Sequence, residues 1–121
     1  MPLRLPARTP SKYRAIPTQI DGIHFDSKKE ARRYGELLML MRAGEIRDLE
    51  CQPEFPLFTA RYKGSDVHQV GTYTADFRYR QGPTRTLIIE DVKSPATRKT
   101  AVYRLKKRMV EAAYGITVTE V

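Results

Sequence analysis

Polar and apolar residues alternate strictly from Gly71 to Arg80. Tyr73, Ala75, Phe77 and Tyr79 fall on one side, and Thr72, Thr74, Asp76, Arg78 and Arg80 on the other. A period of two predicts a half-buried strand. Gln81 to Thr84, with Gly82 and Pro83 at its centre, predicts a hairpin turn. Arg85 to Lys93 follows as a second strand with a buried run, Leu87-Ile88-Ile89, and Ser94-Pro95 ends it.

Upstream the period changes. Asp26 to Glu30 opens a helix, with Ser27 and Glu30 at capping-box spacing. Ala31, Tyr34, Leu37, Leu38 and Met41 form one apolar stripe, and Ala43-Gly44 stops it. Before this helix, Asp21 to Phe25 reads as a turn and a short extended piece. After it, Ile46 and Leu49 lead by a strand or turn into Cys51 to Phe58. Pro53 and Pro56 predict an edge strand or an extended connection there. Thr59 to Tyr62 extends it, and Lys63 to Asp66 turns. Thr97 to about Tyr114 is predicted as one helix, with Ala101, Val102, Leu105, Met109 and Ala112 or Ala113 facing inward. Gly115 caps it and Ile116 to Val121 forms the last strand. The order helix, strands, helix, strand predicts an α/β (α+β) domain. Its small mixed sheet is flanked by helices, and the last strand runs parallel to Arg85–Lys93 through a right-handed crossover.

Chemistry enters at the two paired strands. Alternation puts Asp91 and Lys93 on one face, and a hairpin would bring Asp76 beside them. Asp76 lies mid-strand, where aspartate is disfavoured. Its plain alternative is a surface acid paired with Arg78 or Arg80. Glu90 and Asp91 end an apolar run, where buried charge is costly unless compensated. A divalent cation would compensate it, and an Asp91–Lys93 ion pair is the simpler alternative. Mg²⁺ takes a few carboxylate oxygens, waters and substrate phosphate. Asp76 and Asp91 would supply the carboxylates, with the Val92 carbonyl as a further ligand. Lys93 would orient or activate water, or hold charge on a phosphate. Glu30 is a third acid whose simpler role is the helix cap.

Composition narrows the partner. The chain has 121 residues, with 22 basic against 14 acidic and a net charge of +8. This charge favours a polyanion. Cys51 is the single cysteine, which rules out an internal disulfide and is too little for a zinc site. No apolar run reaches spanning length and no signal-peptide pattern is present, so a cytoplasmic protein without membrane association is expected. Residues 1–19 read as a flexible arm, rich in proline and carrying Arg4, Arg8, Lys12 and Arg14 without an acid. The folded domain is expected over 20–121. Lys28, Lys29, Arg32 and Arg33 cluster near Glu30. Arg98, Lys99, Arg104, Lys107 and Arg108 cluster after Lys93, among seven basic and no acidic residues between 92 and 110. Both clusters are expected to grip phosphates rather than read bases. His24 and His68 lack partners for a histidine-based site, with His68 expected in a loop.

The pattern Asp76 … Asp91-Val92-Lys93 resembles the PD-(D/E)XK nuclease superfamily, and the element order resembles its restriction-endonuclease-like αβββαβ core. Ala75 stands where that pattern often has proline, and Glu30 stands where many members carry a first-helix glutamate. A longer resemblance covers nearly the whole chain. Lys12-Tyr13-Arg14, the run from Asp21 to Tyr34, Gly44 to Ile46, Gln52-Pro53, Tyr73 to Phe77 and Glu90 to Lys93 resemble a family of small phage and prophage proteins. That family is listed only as a domain of unknown function (DUF1064-like) and is assigned to the same superfamily. Phe25 to Glu30 and Gln52-Pro53 are also similar to a transposon-encoded endonuclease subunit and to archaeal junction resolvases. These resemblances imply a Mg²⁺- or Mn²⁺-dependent DNA endonuclease in a bacterial host cell, acting in recombination or replication on duplex or branched DNA such as a Holliday junction. Cutting two strands implies a homodimer, for which Phe55, Leu57 and Phe58 are candidate contacts. The alternatives are a non-catalytic nucleic-acid-binding module and a subunit that needs a partner to act.

Overall fold

The computed structural model describes residues 18–121. Arg4, Arg8, Lys12 and Arg14 of the expected arm lie outside the described residues. Thr18 and Gln19, assigned to the arm by composition, instead begin strand β1 (Thr18–Ile20), which pairs with β2 (Ile23–Phe25) across the Asp21-Gly22 turn. Both turn residues take positive φ, the requirement of a tight hairpin.

Helix α1 (Lys28–Arg42) starts as expected: Ser27 is its N-cap, and its side chain accepts from the Glu30 amide at 3.1 Å. Ala31, Tyr34 and Leu37 are buried, and the helix ends before Gly44 at φ 79°. Strands β3 (Ile46–Cys51), β6 (Phe77–Gln81), β7 (Thr86–Asp91) and β8 (Val118–Glu120) form a four-stranded sheet in the order β3-β6-β7-β8. The first three are antiparallel and β8 is parallel to β7, so the sheet is mixed. Strands β4 (Glu54–Ala60) and β5 (Val67–Thr74) form a separate two-stranded ribbon. Leaving this ribbon and the one-turn helix at Pro95–Arg98 aside, the elements from α1 onward run in an αβββαβ order.

The alternating stretch at 71–80 is two strands rather than one. It breaks at Ala75-Asp76, where the chain passes from the ribbon into the sheet. The alternation stays buried across the break, but it changes core. Tyr73 and Ala75 pack with Phe55, Leu57, Ile89, Tyr103, Val110 and Val118. Phe77 and Tyr79 pack with Phe25, Ala31, Tyr34, Leu37 and Val92. Phe55 and Leu57 are therefore ordinary core, and of the three residues considered for a dimer contact only Phe58 is exposed, at 53%. His68 lies on β5 rather than in a loop.

The last helical region also departs from expectation. It is two helices, α2 (Pro95–Arg98) and α3 (Ala101–Tyr114), separated at Lys99-Thr100. Most of the stripe chosen as inward is turned outward: Val102 is 68% exposed and Leu105 60%, and Ala101, Ala112 and Ala113 are exposed, while Met109 alone of that set packs against the core. Tyr103 and Val110 are buried instead. Helical periodicity fixes the spacing of a buried face; its phase is set by what the neighbouring strands present, here Phe55, Tyr73 and Ile89. Gly115 takes the left-handed cap at φ 64°, as expected. No described helix is long and apolar enough to cross a membrane.

Candidate functional site

Asp76 sits where the ribbon leaves the sheet, and both neighbours hold its backbone. Its amide donates to the Glu90 carbonyl at 3.0 Å and its carbonyl accepts from the Gln52 amide at 2.8 Å. Its side-chain Oδ2 accepts from the Val92 amide at 2.6 Å. The plain alternative, pairing with Arg78 or Arg80, is absent among the described residues, where Arg78 pairs with Glu50. Asp91, on β7, is fully buried. Its Oδ2 accepts from the Tyr73 hydroxyl. Its Oδ1 lies 3.1 Å from the Lys93 ammonium yet receives no hydrogen bond. Lys29 of α1 reaches the Lys93 carbonyl at 3.5 Å.

Glu30 completes the group. It is buried, and its Oε2 accepts from the Asp26 amide at 3.3 Å, so it does serve as a cap residue. It also feels the site. Burial raises its pKa, Asp26 and Asp91 add to the rise, and Lys93 opposes it. The start of α1 thus lies over the sheet edge that carries Asp76 and Asp91, a placement the sequence leaves open.

The electrostatics are those of crowded acids. Burial, then a hydrogen bond with Asp91 and the charge of Glu30, push Asp76 up to about 8. Burial works against the charged form of Lys93, but Asp91, Asp76 and Glu30 outweigh it and its pKa is raised. Lys93 is therefore an ammonium at neutral pH. Burial, followed by the bond to Asp91, also raises Tyr73.

Among the described residues, no three His, Cys, Asp or Glu side chains are arranged to hold a metal ion. The donors present still fit a Mg²⁺-like ion. Two carboxylates converge, and the buried Asp91 Oδ1 lacks a hydrogen bond. Such an ion takes few protein oxygens and keeps several waters.

Glu90, the neighbour of Asp91 on β7, points to the other face. It is 1% exposed and gripped by Arg33. Arg33 Nε donates to Oε1 at 2.8 Å and Arg33 Nη2 to Oε2 at 2.6 Å, while the Tyr79 hydroxyl donates to Oε2. The bond to Glu90 raises the Arg33 pKa further. Arg33 also meets Glu36 at 2.8 Å. Its guanidinium is committed to these acids rather than offered to phosphate. Two cations of the second cluster are likewise engaged: Glu120 on β8 meets Lys107 at 3.1 Å and Arg98 at 3.8 Å. Lys28, Lys29, Arg32, Lys99, Arg104 and Arg108 remain exposed.

Two grooves flank the sheet. One, of about 520 Å³, is lined by Glu50, Arg78, Arg80 and Leu87 and holds the Arg78–Glu50 pair. The other, of about 360 Å³, is lined by Tyr73, Asp91 and Lys93 at the acid cluster and by Thr100, Tyr103 and Lys106 of the following helix. The smaller groove is the one with chemistry. Sequence reasoning missed three parts of this region: Lys106, counted only as one of a basic run, Glu120, which arrives from β8, and the Tyr73 hydroxyl, whose strand alternation marks it only as core.

No curated protein and no solved structure matches the chain. One family does match, over residues 10–119, and it is described as a protein of unknown function (DUF1064). The match covers most of the chain, which therefore belongs to the DUF1064 family.

Proposed function

We propose that this chain is a metal-dependent DNA endonuclease of the PD-(D/E)XK superfamily. The observation that carries the reading is the convergence of Asp76, Asp91 and Lys93, with Glu30 above them, at the point where the ribbon meets the sheet. The αβββαβ element order supports it. So does the +8 charge, which favours a polyanionic substrate.

Asp76 and Asp91 would hold Mg²⁺ or Mn²⁺, joined by the Val92 carbonyl and by Glu30 directly or through water. The bound ion would supply a Lewis acid for the phosphate and lower the pKa of a coordinated water. Tyr73 fixes the Asp91 carboxylate through its hydroxyl, and the Val92 amide fixes Asp76. Lys93, as an ammonium, stabilises negative charge on the phosphate and orients the attacking water; it is not a base in this state. Exposed Lys28, Lys29, Arg32, Lys99, Arg104 and Arg108 would hold the strand backbone. Branched DNA is the proposed substrate, and a homodimer the proposed cutting unit.

The test is cleavage by purified protein with Mg²⁺ or Mn²⁺. Substrates are a four-way junction, a flap, linear duplex and single strand, with Asp91→Ala and Lys93→Ala alongside. Metal-dependent cutting lost in both variants is expected. The +8 charge and the exposed basic side chains equally favour one second reading, a nucleic-acid-binding module on the same fold. DNA binding that persists in EDTA, with no cutting once metal is restored, would establish that reading instead.

A further inference from the structure

Lys106 lies on the groove-facing side of α3 and is half-buried. Its ammonium donates to the Thr72 carbonyl at 3.3 Å and forms no ion pair among the described residues. The next residue differs sharply: Lys107 is neutralised by Glu120 at 3.1 Å. An ammonium carries three donors. Removing it partly from water with one neutral acceptor is costly unless an anion joins it.

Three further features share that groove. Thr100 occupies the N-cap of α3, but its hydroxyl turns back to the Thr97 carbonyl at 2.9 Å, so no side chain caps the first turn. That turn also lacks an acid. The free amides and the helix dipole of a 14-residue helix therefore meet the groove without a counter-charge. Tyr103 lines the groove and is 8% exposed; its hydroxyl lies near Tyr73 and Glu120 but makes no hydrogen bond of good geometry among the described residues. Val102, largely exposed at the same lip, offers an apolar surface beside the polar ones.

From these features we infer that the groove between β5 and α3 is a sugar-phosphate subsite. It binds the phosphate next to the scissile one, with Lys106 and the first turn of α3 as its charge partners. The position of this subsite relative to the cut rests on the endonuclease reading; the binding of a phosphate there does not. At the other end of the groove Asp91 would repel an anion, but Lys93 covers it at 3.1 Å. The preferred ligand is therefore an anion seated toward Lys106, on a strand that continues past Lys93.

The test separates the two readings. Isotope-labelled protein in EDTA is titrated with inorganic phosphate and with deoxythymidine 3′,5′-bisphosphate, and amide shifts are followed. The expected result is saturable shifts centred on residues 100–106, with the bisphosphate binding more tightly than phosphate. Lys106→Met should weaken bisphosphate binding about tenfold or more, the loss of a charge-assisted contact, with an unchanged melting temperature. Lys106→Arg should retain binding. Tyr103→Phe should weaken binding without lowering stability, because it removes an unsatisfied hydroxyl. A purely packing role for Tyr103 would leave binding unchanged. Shifts spread evenly over all basic surfaces, or equal affinity in Lys106→Met, would overturn the subsite. If the shifts localise but no DNA is ever cut, the subsite stands and the endonuclease reading falls. If DNA is cut and Lys106→Met leaves KM unchanged, the subsite falls and the endonuclease stands.

Discussion

Glu90 and Asp91 are adjacent on β7, and both are almost completely buried, at 1% and 0% exposure. They point to opposite faces of the sheet and meet opposite surroundings. Glu90 accepts two bonds from one guanidinium and a third from Tyr79. Its charge is neutralised and both oxygens are satisfied. Asp91 accepts one bond from Tyr73, has the single Lys93 ammonium 3.1 Å from an oxygen that makes no hydrogen bond among the described residues, and shares that one cation with Asp76 and Glu30. Burial alone therefore does not mark a functional acid. The mark is burial with incomplete compensation. Glu90 ties α1 to the sheet, and Asp91 is left available for a cation.

The comparison is broken most directly by removing the closed side. Glu90→Ala leaves Arg33 with Glu36 alone and the Tyr79 hydroxyl without its acceptor, and the expected loss is about 3 kcal/mol of stability, measured by chemical denaturation. Asp91→Asn keeps the shape and the Tyr73 contact, so its stability loss should be far smaller. Its cleavage should fall about a thousandfold, which is about 4 kcal/mol of transition-state stabilisation. Equal destabilisation by the two variants would erase the distinction between these acids.

A finer test uses pH. With its pKa raised to about 8, Asp76 holds a proton in the folded chain that it releases when unfolded. The stability this gives is fully present below the ordinary carboxylate range and is lost as pH rises through about 8. Without metal, melting temperature should fall across that window on account of Asp76, and Asp76→Asn should flatten the fall. A cation must displace the same proton, so Mn²⁺ affinity by calorimetry should climb up to about tenfold per pH unit below about 8 and level off above it. A flat profile in the wild type would show that no proton held by Asp76 has to leave when the cation binds.

Much of this arrangement is legible in the sequence where the signal is local. The capping residues of α1, its stop at Gly44, the turn after Gln81 and the shared face of Asp91 and Lys93 all follow from spacing within a few residues. The rest depends on partners far along the chain. Arg33 reads as a surface cation until Glu90, 57 residues later, is folded against it. The basic run after Lys93 reads as unopposed until Glu120 arrives on β8. The break at Asp76 is hidden because its two flanking strands keep the same alternation while they serve different cores. The phase of α3 is invisible because Val102 and Leu105 fit a helical stripe as well as Tyr103 and Val110 do.

The ribbon β4–β5 is rooted at Asp76. The acid's amide is fastened to β7 and its carbonyl to Gln52, at the root of the ribbon's other strand. The far end of the ribbon, at Tyr62 and Lys63, is exposed, while its root at Ala75 also donates to the Pro53 carbonyl at 3.1 Å. The ribbon and the acid cluster thus share one backbone anchor, so the same three hydrogen bonds that root the ribbon also set where the Asp76 carboxylate stands.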